Sequence, residues 1–250
     1  NHAQGIALAA KKLGMSATIV MPSDAPRLKL EGTLRLGAKV IEYDRATESR
    51  ERIAEDIAKE TGATLVPAFE DFDVMAGQGT VGLEIVDQLN AIQQKLDTFL
   101  SPCGGGGLLA GTSTAITNLL PTVRIFGVEQ ERYDDHALSK AAGHRVQISG
   151  EVPTMCDSLM ASTPGEMTWS VNSKTVDDFL VVSEDSIAFA VAFAFRHLKL
   201  VIEPGGAVGL AALLERKIDI SGKNVAIVLS GGNIDPNTFD YCQSKFPNPE

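Results

Sequence analysis

The stretch SPCGGGGLLAG, residues 101–111, decides how the rest of this chain is read. Four consecutive glycines suit either a flexible linker or a loop whose backbone amides close on an anion. A linker is flanked by polar, structureless sequence. This run instead follows the short apolar segment DTFLSP and precedes LLAGTSTAITNLL, which has apolar residues at helical spacing. Strand, glycines, then helix is an arrangement that lets a backbone approach a negative group. Glycine removes the side chain, and the helix start adds unsatisfied N–H groups and the positive end of its dipole. A tight turn with positive φ explains one or two glycines, not four in succession.

The 250 residues suffice for one large domain or two modest ones with their own cores. Hydrophobic residues make up 44% and charged residues 22%, which is ordinary for a soluble globular protein. A net charge of −10 lacks the basic footprint that nucleic-acid phosphates demand, so no nucleic-acid partner is expected. Cys103, Cys156 and Cys242 lie far apart and form no CxxC pair or metal-ligand spacing. A reducing, cytoplasmic location is therefore expected. No apolar run is long enough to span a bilayer and no signal peptide opens the sequence, so no membrane partner is expected. The start, NHAQGIALAAKKLG, lacks an initiating methionine and runs almost at once into a helical pattern. A fragment of a longer chain is expected.

Around the glycine run the sequence keeps a βα rhythm. QGIALAAKKLG, RLKLEGTLRLG and ATESRERIAEDIAKETG read as helices, each followed by a strand: ATIVM, AKVIEY and ATLVPA. VMAGQGTVGLEIVDQL reads as a helix leading to the strand TFLSP, then the glycines and their helix, then the strand VRIFGVE. DSIAFAVAFAFRHL and GAVGLAALLERK are helical, and NVAIVLSGGN begins as a strand. Alternating strands and helices predict parallel sheets covered by helices, with ligands at the carboxyl ends of the strands.

Two anionic ligands compete for the glycine run. Gly105, Gly107 and Ala110 satisfy the dinucleotide pattern G-x-G-x-x-G/A, and Glu129 ends the next strand, where an acid would hold a ribose hydroxyl. Any tetraglycine satisfies half of that pattern, however, and a dinucleotide turn usually opens its domain. Other segments favour a single phosphorylated cofactor. NHAQG at 1–5, GQGTVGLEI at 77–85, EDSIAFAVAFAF at 184–195, IEPGGAVG at 202–209 and VLSGGN at 228–233 accompany the glycine run. Together, in this order, they resemble the fold-type II pyridoxal-phosphate enzymes, specifically the threonine/serine dehydratase and serine racemase group. The resemblance covers essentially the whole chain.

The resemblance implies an α/β fold of two αβα domains with mostly parallel sheets, a smaller one over residues 1–69 and a larger, cofactor-binding one over 70–250. It implies a homodimer acting on a small amino acid, by β-elimination of L-threonine or L-serine or by racemisation. The main-chain amides of Gly104, Gly105, Gly106 and Gly107, with Leu108 at the helix start, would cradle the cofactor phosphate. Asn1 would hydrogen-bond the cofactor's 3′-oxygen; as a bare residue it reads equally as a helix N-cap. Asn1 and His2 would belong to the loop holding the substrate carboxylate, with Gln78 beside it, although Gln78 also lies in a stretch of small residues suited to helix packing. Ser230 would meet the pyridine nitrogen and Glu203 would lie near the ring. A serine leaves that nitrogen neutral, which suits expulsion of a β-hydroxyl better than prolonged storage of charge in the ring. Asp157, with Cys156 and Ser158 in PTMCDSLMA, would lie near the substrate side chain. Cys103 is expected as a buried packing residue.

In GVEQERYDD, Glu129, the carbonyl of Tyr133 and Asp135 have the spacing at which relatives hold Mg²⁺ or Ca²⁺, both of which take oxygen ligands. Gln130 replaces the proline usual there, and a solvated acidic loop is the competing reading. The family's Schiff-base lysine precedes the asparagine motif in a pattern like S-F-K-x-R-G. No such segment occurs in this chain, and Lys11, Lys12 and Lys29 do not match it. The lysine is expected upstream in a full-length parent, and the chain as given is expected to turn over poorly. The sequence also stops soon after SGGN, which would make the parent the short, catabolic type without a regulatory domain.

Overall fold

A computed structural model describes residues 1–150 and 152–249. The chain divides into two compact units, Asn1–Val66 and Pro67–Glu250, against the 69/70 boundary read from the sequence.

In the first unit, α1 (His2–Leu13) stops at Gly14, whose left-handed φ of 68° lets its N–H reach back to the last turn. β1 (Thr18–Pro22), α2 (Arg27–Arg35), β2 (Lys39–Tyr43) and α3 (Arg50–Thr61) follow. β1 and β2 pair in parallel, with Thr18 opposite Lys39 and Pro22 opposite Tyr43. The Ser49 hydroxyl caps α3 by accepting from the Arg52 N–H. The unit buries few large side chains, among them Met21 and Tyr43. ATLVPA, residues 63–68, was expected to add a strand and adds none. Leu65 and Val66 are exposed, Pro67 has no N–H to give a ladder, and the Val66 carbonyl accepts from His2 Nε2 at 3.0 Å instead.

The second unit begins with α4 (Phe72–Ala91), capped by the Asp71 carboxylate, which accepts from the Val74 N–H. β3 (Thr98–Pro102), α5 (Gly107–Leu119), β4 (Arg124–Gln130), α6 (Asp135–Ala142), α7 (Glu166–Thr175) and β5 (Asp178–Val182) come next. α8 (Glu184–Phe193) runs into a π-helical turn at Ala194–Leu198, followed by α9 (Pro204–Leu214), β6 (Val225–Ile227) and α10 (Pro236–Lys245). The four strands form one sheet in the order β5-β4-β3-β6, every pair parallel. Strand periodicity sends successive side chains to opposite faces. Phe99, Ile125 and Phe179 pack with Leu109 and Ile116 on one face, and Leu100, Phe126 and Val128 pack with Ile187, Val191 and Val208 on the other. β3 is buried along its whole length. α4 and α5 cross at near backbone contact, because any side chain at Gly111 would overlap the Met75 carbonyl.

The sequence reading does not anticipate α6, α7, β5 or α10. α6 has only eight residues, and α7, EMTWSVNSKT, starts after Gly165, which has no side chain to cap it, and mixes polar residues into its buried face. NVAIVLSGGN forms a shorter strand than expected: β6 covers three residues, with one more ladder bond from the Val228 N–H to the Leu100 carbonyl.

Candidate active site

The glycine run leaves the carboxyl end of β3 and enters α5 with Gly106 as N-cap at φ 93°, a conformation that favours glycine. A β-carbon at Gly106 would lie 2.7 Å from Asn172 Nδ2 and 2.8 Å from His136 Nε2. Phe69 covers Gly105 and Gly107, and Leu159 with the Ser158 carbonyl covers Gly104. The α-carbons of the run are thus backed by protein. Its carbonyls are held too. The Thr168 hydroxyl donates to the Gly105 carbonyl at 2.7 Å and Asn172 Nδ2 to the Gly106 carbonyl at 3.2 Å. A peptide whose carbonyl is tied on one side presents its next N–H on the other. The first-turn amides of α5 have no carbonyl before them within the helix. That turn contains no acidic residue and no side-chain cap. Free amides, a helix dipole and no competing anion make a cradle that fits a phosphate.

Thr168, Asn172 and Glu70 are parts of this cradle that sequence reasoning missed. Thr168 and Asn172 lie four apart, one turn along α7, so both reach the same loop. Glu70 caps α7 by accepting from the N–H groups of Glu166, Met167 and Thr168 at 2.9, 3.2 and 3.4 Å. The polar pair at helical spacing in TWSVN was the available signal, but nothing in the sequence says which loop it faces.

The remaining motifs of the second unit converge beside the cradle. Glu203, only 1% exposed, is the N-cap of α9, and its N–H donates to the Gly231 carbonyl at 2.9 Å. Gly206 lies so close to Gly231 that a β-carbon would be 3.0 Å from the latter's N and O. This brings α9 against the SGG turn that follows β6. The 156–159 loop touches both Gly104 and Gly205, so it joins the glycine run to the start of α9. Asp157 in that loop is half-buried, and Ser230 is exposed. Gln78 lies on α4 next to Gly79, whose lack of a side chain serves the crossing with α5.

In the first unit, Asn1 is the N-cap of α1 but makes no side-chain capping bond, contrary to the simple cap reading. His2 is the first residue of α1, and burial lowers its pKa below the ordinary histidine value. With Nε2 committed to Val66, His2 offers no charged group to a carboxylate at neutral pH.

Glu129 corrects two expectations. Its oxygens accept from the N–H groups of His136 and Ala137 at 2.9 and 2.8 Å, capping α6, and the side chain is fully buried. It is therefore not placed to hold a ribose hydroxyl, which removes the acid of the dinucleotide reading. It is not part of a solvated acidic loop either. Asp135 is buried beside it, and both its oxygens lack a hydrogen-bond partner. Between the two carboxylates sits the His136 imidazole, Nδ1 3.4 Å from Glu129 Oε1 and 3.4 Å from Asp135 Oδ2. The Tyr133 hydroxyl lies 2.7 and 2.8 Å from the carbonyls of Gly150 and Val152, which share its one proton. Gln130, where relatives carry proline, is buried and donates from Nε2 to the Leu159 carbonyl at 3.3 Å. Cys103, Cys156 and Cys242 are buried free thiols, and burial pushes the Cys103 thiol up to about 11. Among the described residues no helix is long and apolar enough to cross a membrane.

Comparisons with known proteins identify the family. The chain is 44% identical over 249 residues to the L-threonine ammonia-lyase of Thermotoga maritima, covering 98% of this chain and 60% of that protein. It is 42% identical to the L-threo-3-hydroxyaspartate ammonia-lyase of Saccharomyces cerevisiae, covering 96% of this chain and 72% of the relative. The structure of maize serine racemase superposes with a TM-score of 0.88 at 37% identity, over 98% of this chain and 74% of that one. Residues 1–231 match the family described as pyridoxal-phosphate dependent enzyme. By that match and by these relatives, the chain belongs to the pyridoxal-phosphate dependent enzyme family.

Proposed function

We propose that the protein is a pyridoxal-phosphate dependent ammonia-lyase. It removes the α-proton and β-hydroxyl of L-threonine or L-serine as water, and hydrolysis then releases ammonia and a 2-oxo acid. The observation that carries this reading is the cradle at residues 104–108, with α9 and the SGG turn gathered beside it. Bound there, the cofactor supplies an electron-withdrawing ring that acidifies the substrate's α-proton. The amides of Gly104 to Gly107 and of Leu108 hold the phosphate. Ser230 gives the ring nitrogen a neutral hydroxyl rather than a carboxylate, which favours departure of the β-hydroxyl. Glu203 stands at the α9 start on the ring's side. By the family resemblance, Asn1 is offered to the 3′-oxygen, and Asn1 and His2 at the start of α1 and Gln78 on α4 are each offered to the substrate carboxylate. His2 contributes there as a neutral group. Asp157 lies toward the substrate side chain.

The residues before about 69 form the smaller domain of this enzyme, and the protein is a cytoplasmic homodimer. Buried free thiols support the location and the family resemblance supports the dimer. Glu129, Asp135 and the Tyr133 carbonyl are offered to a divalent cation, supported by the buried carboxylate oxygens of Asp135 that no protein group satisfies. Likeness to maize serine racemase favours racemisation as a second reading. Full-length protein supplied with pyridoxal phosphate and either L-threonine or L-serine should release 2-oxo acid and ammonia in equal amounts. D-serine without 2-oxo acid would replace the first reading by the second, and neither product would remove both.

A further inference from the structure

The side chain of Gln130 is fully buried, and a buried carboxamide is kept where both of its ends find partners. Gln130 is the last residue of β4 and stands opposite Val182 at the end of β5, two residues before Glu184. Strand alternation sends its side chain to the face of Phe126 and Val128, away from Glu129. There it meets the 154–159 loop, whose Cys156 and Leu159 belong to the same apolar cluster as Phe126 and Val128. At one end of the loop, Gln130 Nε2 donates to the Leu159 carbonyl at 3.3 Å. At the other, the Thr154 hydroxyl lies between Gln130 Oε1 and Glu184 Oε1, which share its one proton. We propose that Gln130 is a positioning residue that clips the two ends of the 154–159 loop together and thereby sets which substrate side chain the site accepts.

The loop's own bonds give it a fixed curvature. The Cys156 N–H donates to Thr154 Oγ1 at 3.0 Å, the Leu159 N–H to the Cys156 carbonyl at 2.9 Å, and the Met155 N–H to Glu184 Oε2 at 3.3 Å. Gln130 ties that curve to the sheet at both ends. The side chain of proline, the residue usual here in relatives, offers neither a donor nor an acceptor, so this closure depends on Gln130 itself.

What the clip holds in place is Ser158. A β-carbon on Gly104 would lie 3.1 Å from Leu159 Cα and 3.3 Å from the Ser158 carbonyl oxygen, and one on Gly205 would lie 2.1 Å from Ser158 Oγ. Ser158 therefore stands between the first glycine of the cradle and the first turn of α9. Packed contacts of this kind transmit a small shift of the loop to both walls. The inference rests on the ammonia-lyase reading above, in which this loop lies beside the substrate side chain. L-Serine and L-threonine differ by one methyl group, which a site separates by fit alone.

The test compares the full-length protein with Gln130→Met, which keeps nearly the same volume and removes both bonds. Amide hydrogen exchange without substrate should be about tenfold faster at Cys156 and Leu159 and unchanged along Ile125–Val128. With pyridoxal phosphate supplied, the ratio of KM for L-threonine to KM for L-serine should change about fivefold, and kcat should stay within about twofold. Thr154→Val should loosen the same loop and Thr154→Ser should not, a pair that decides the matter if Gln130→Met fails to fold. Unchanged exchange at Cys156 and Leu159, or faster exchange spread over the whole sheet, would overturn the proposal. So would a loosened loop with an unchanged KM ratio. A wild type that acts on neither amino acid removes the ammonia-lyase reading and the selectivity built on it, while the exchange rates still decide whether Gln130 holds the loop.

Discussion

Two strands of the larger sheet, β3 in its interior and β6 at the end of the order β5-β4-β3-β6, each end at the proposed cofactor site, and they arrive there differently. β3 is buried throughout, and its loop is held from behind by Phe69, His136, Leu159, Thr168 and Asn172. β6 has three partly buried residues, and the turn beyond it leaves Ser230 exposed. Over-determination by many contacts fixes a loop more firmly than the two described at Gly231, the approach of Gly206 and the bond from the Glu203 N–H. The phosphate end of the site is therefore preformed, and the ring end depends on what lies over it.

Core truncation should break the comparison most visibly. Leu100→Ala on β3 empties a fully buried position and should cost about 3 kcal/mol, while Ile227→Ala on β6 should cost about 1–2 kcal/mol. Urea denaturation of the two variants checks this, and equal losses would erase the contrast. Next in size is Gly106→Ala, which puts a β-carbon at φ 93° against Asn172 and His136 and should destabilise by about 2–3 kcal/mol. Binding of pyridoxal phosphate should be lost even where the variant remains folded.

Asn172→Leu and Thr168→Val remove the bonds to the glycine carbonyls, each worth about 1 kcal/mol. Equilibrium dialysis should show roughly fivefold weaker binding of pyridoxal phosphate for each variant, and a change in KM alone would contradict the assignment. Smallest of all is the stability effect of Ser230→Ala, within about 0.5 kcal/mol because the residue is exposed. The rate of 2-oxo acid formation should nonetheless fall in the full-length enzyme. A destabilised Ser230→Ala variant with unchanged rate would invert the comparison.

Much of this was legible in the sequence, for identifiable reasons. Strong periodicity and glycine stops located α1, α3, β3, α5 and β4, and the six motifs pointed to one family before any geometry was available. β5 was missed because DFLVV is short and follows a polar helix without turn residues to mark its start. ATLVPA has the composition of a strand, but strand formation needs a neighbour, and the Val66 carbonyl bonds to His2. Glu129 and Asp135 of GVEQERYDD both lie 3.4 Å from His136 Nδ1. Their spacing gave no sign of His136 between them, because only the turn into α6 sets the imidazole against both carboxylates. Thr168, Asn172 and Glu70 were invisible for the same reason: their importance lies in contacts across 63, 66 and 96 to 98 residues of chain.

The central claim is that residues 104–108 hold the cofactor's phosphate. Backbone amide NMR during titration with pyridoxal phosphate, and separately with unphosphorylated pyridoxal, tests it directly and needs no catalytic turnover. The account predicts that the amides of Gly104, Gly105, Gly106, Gly107 and Leu108 shift with the phosphorylated compound and stay in place with the other. Equal shifts with both compounds, or shifts confined to other residues, would contradict it.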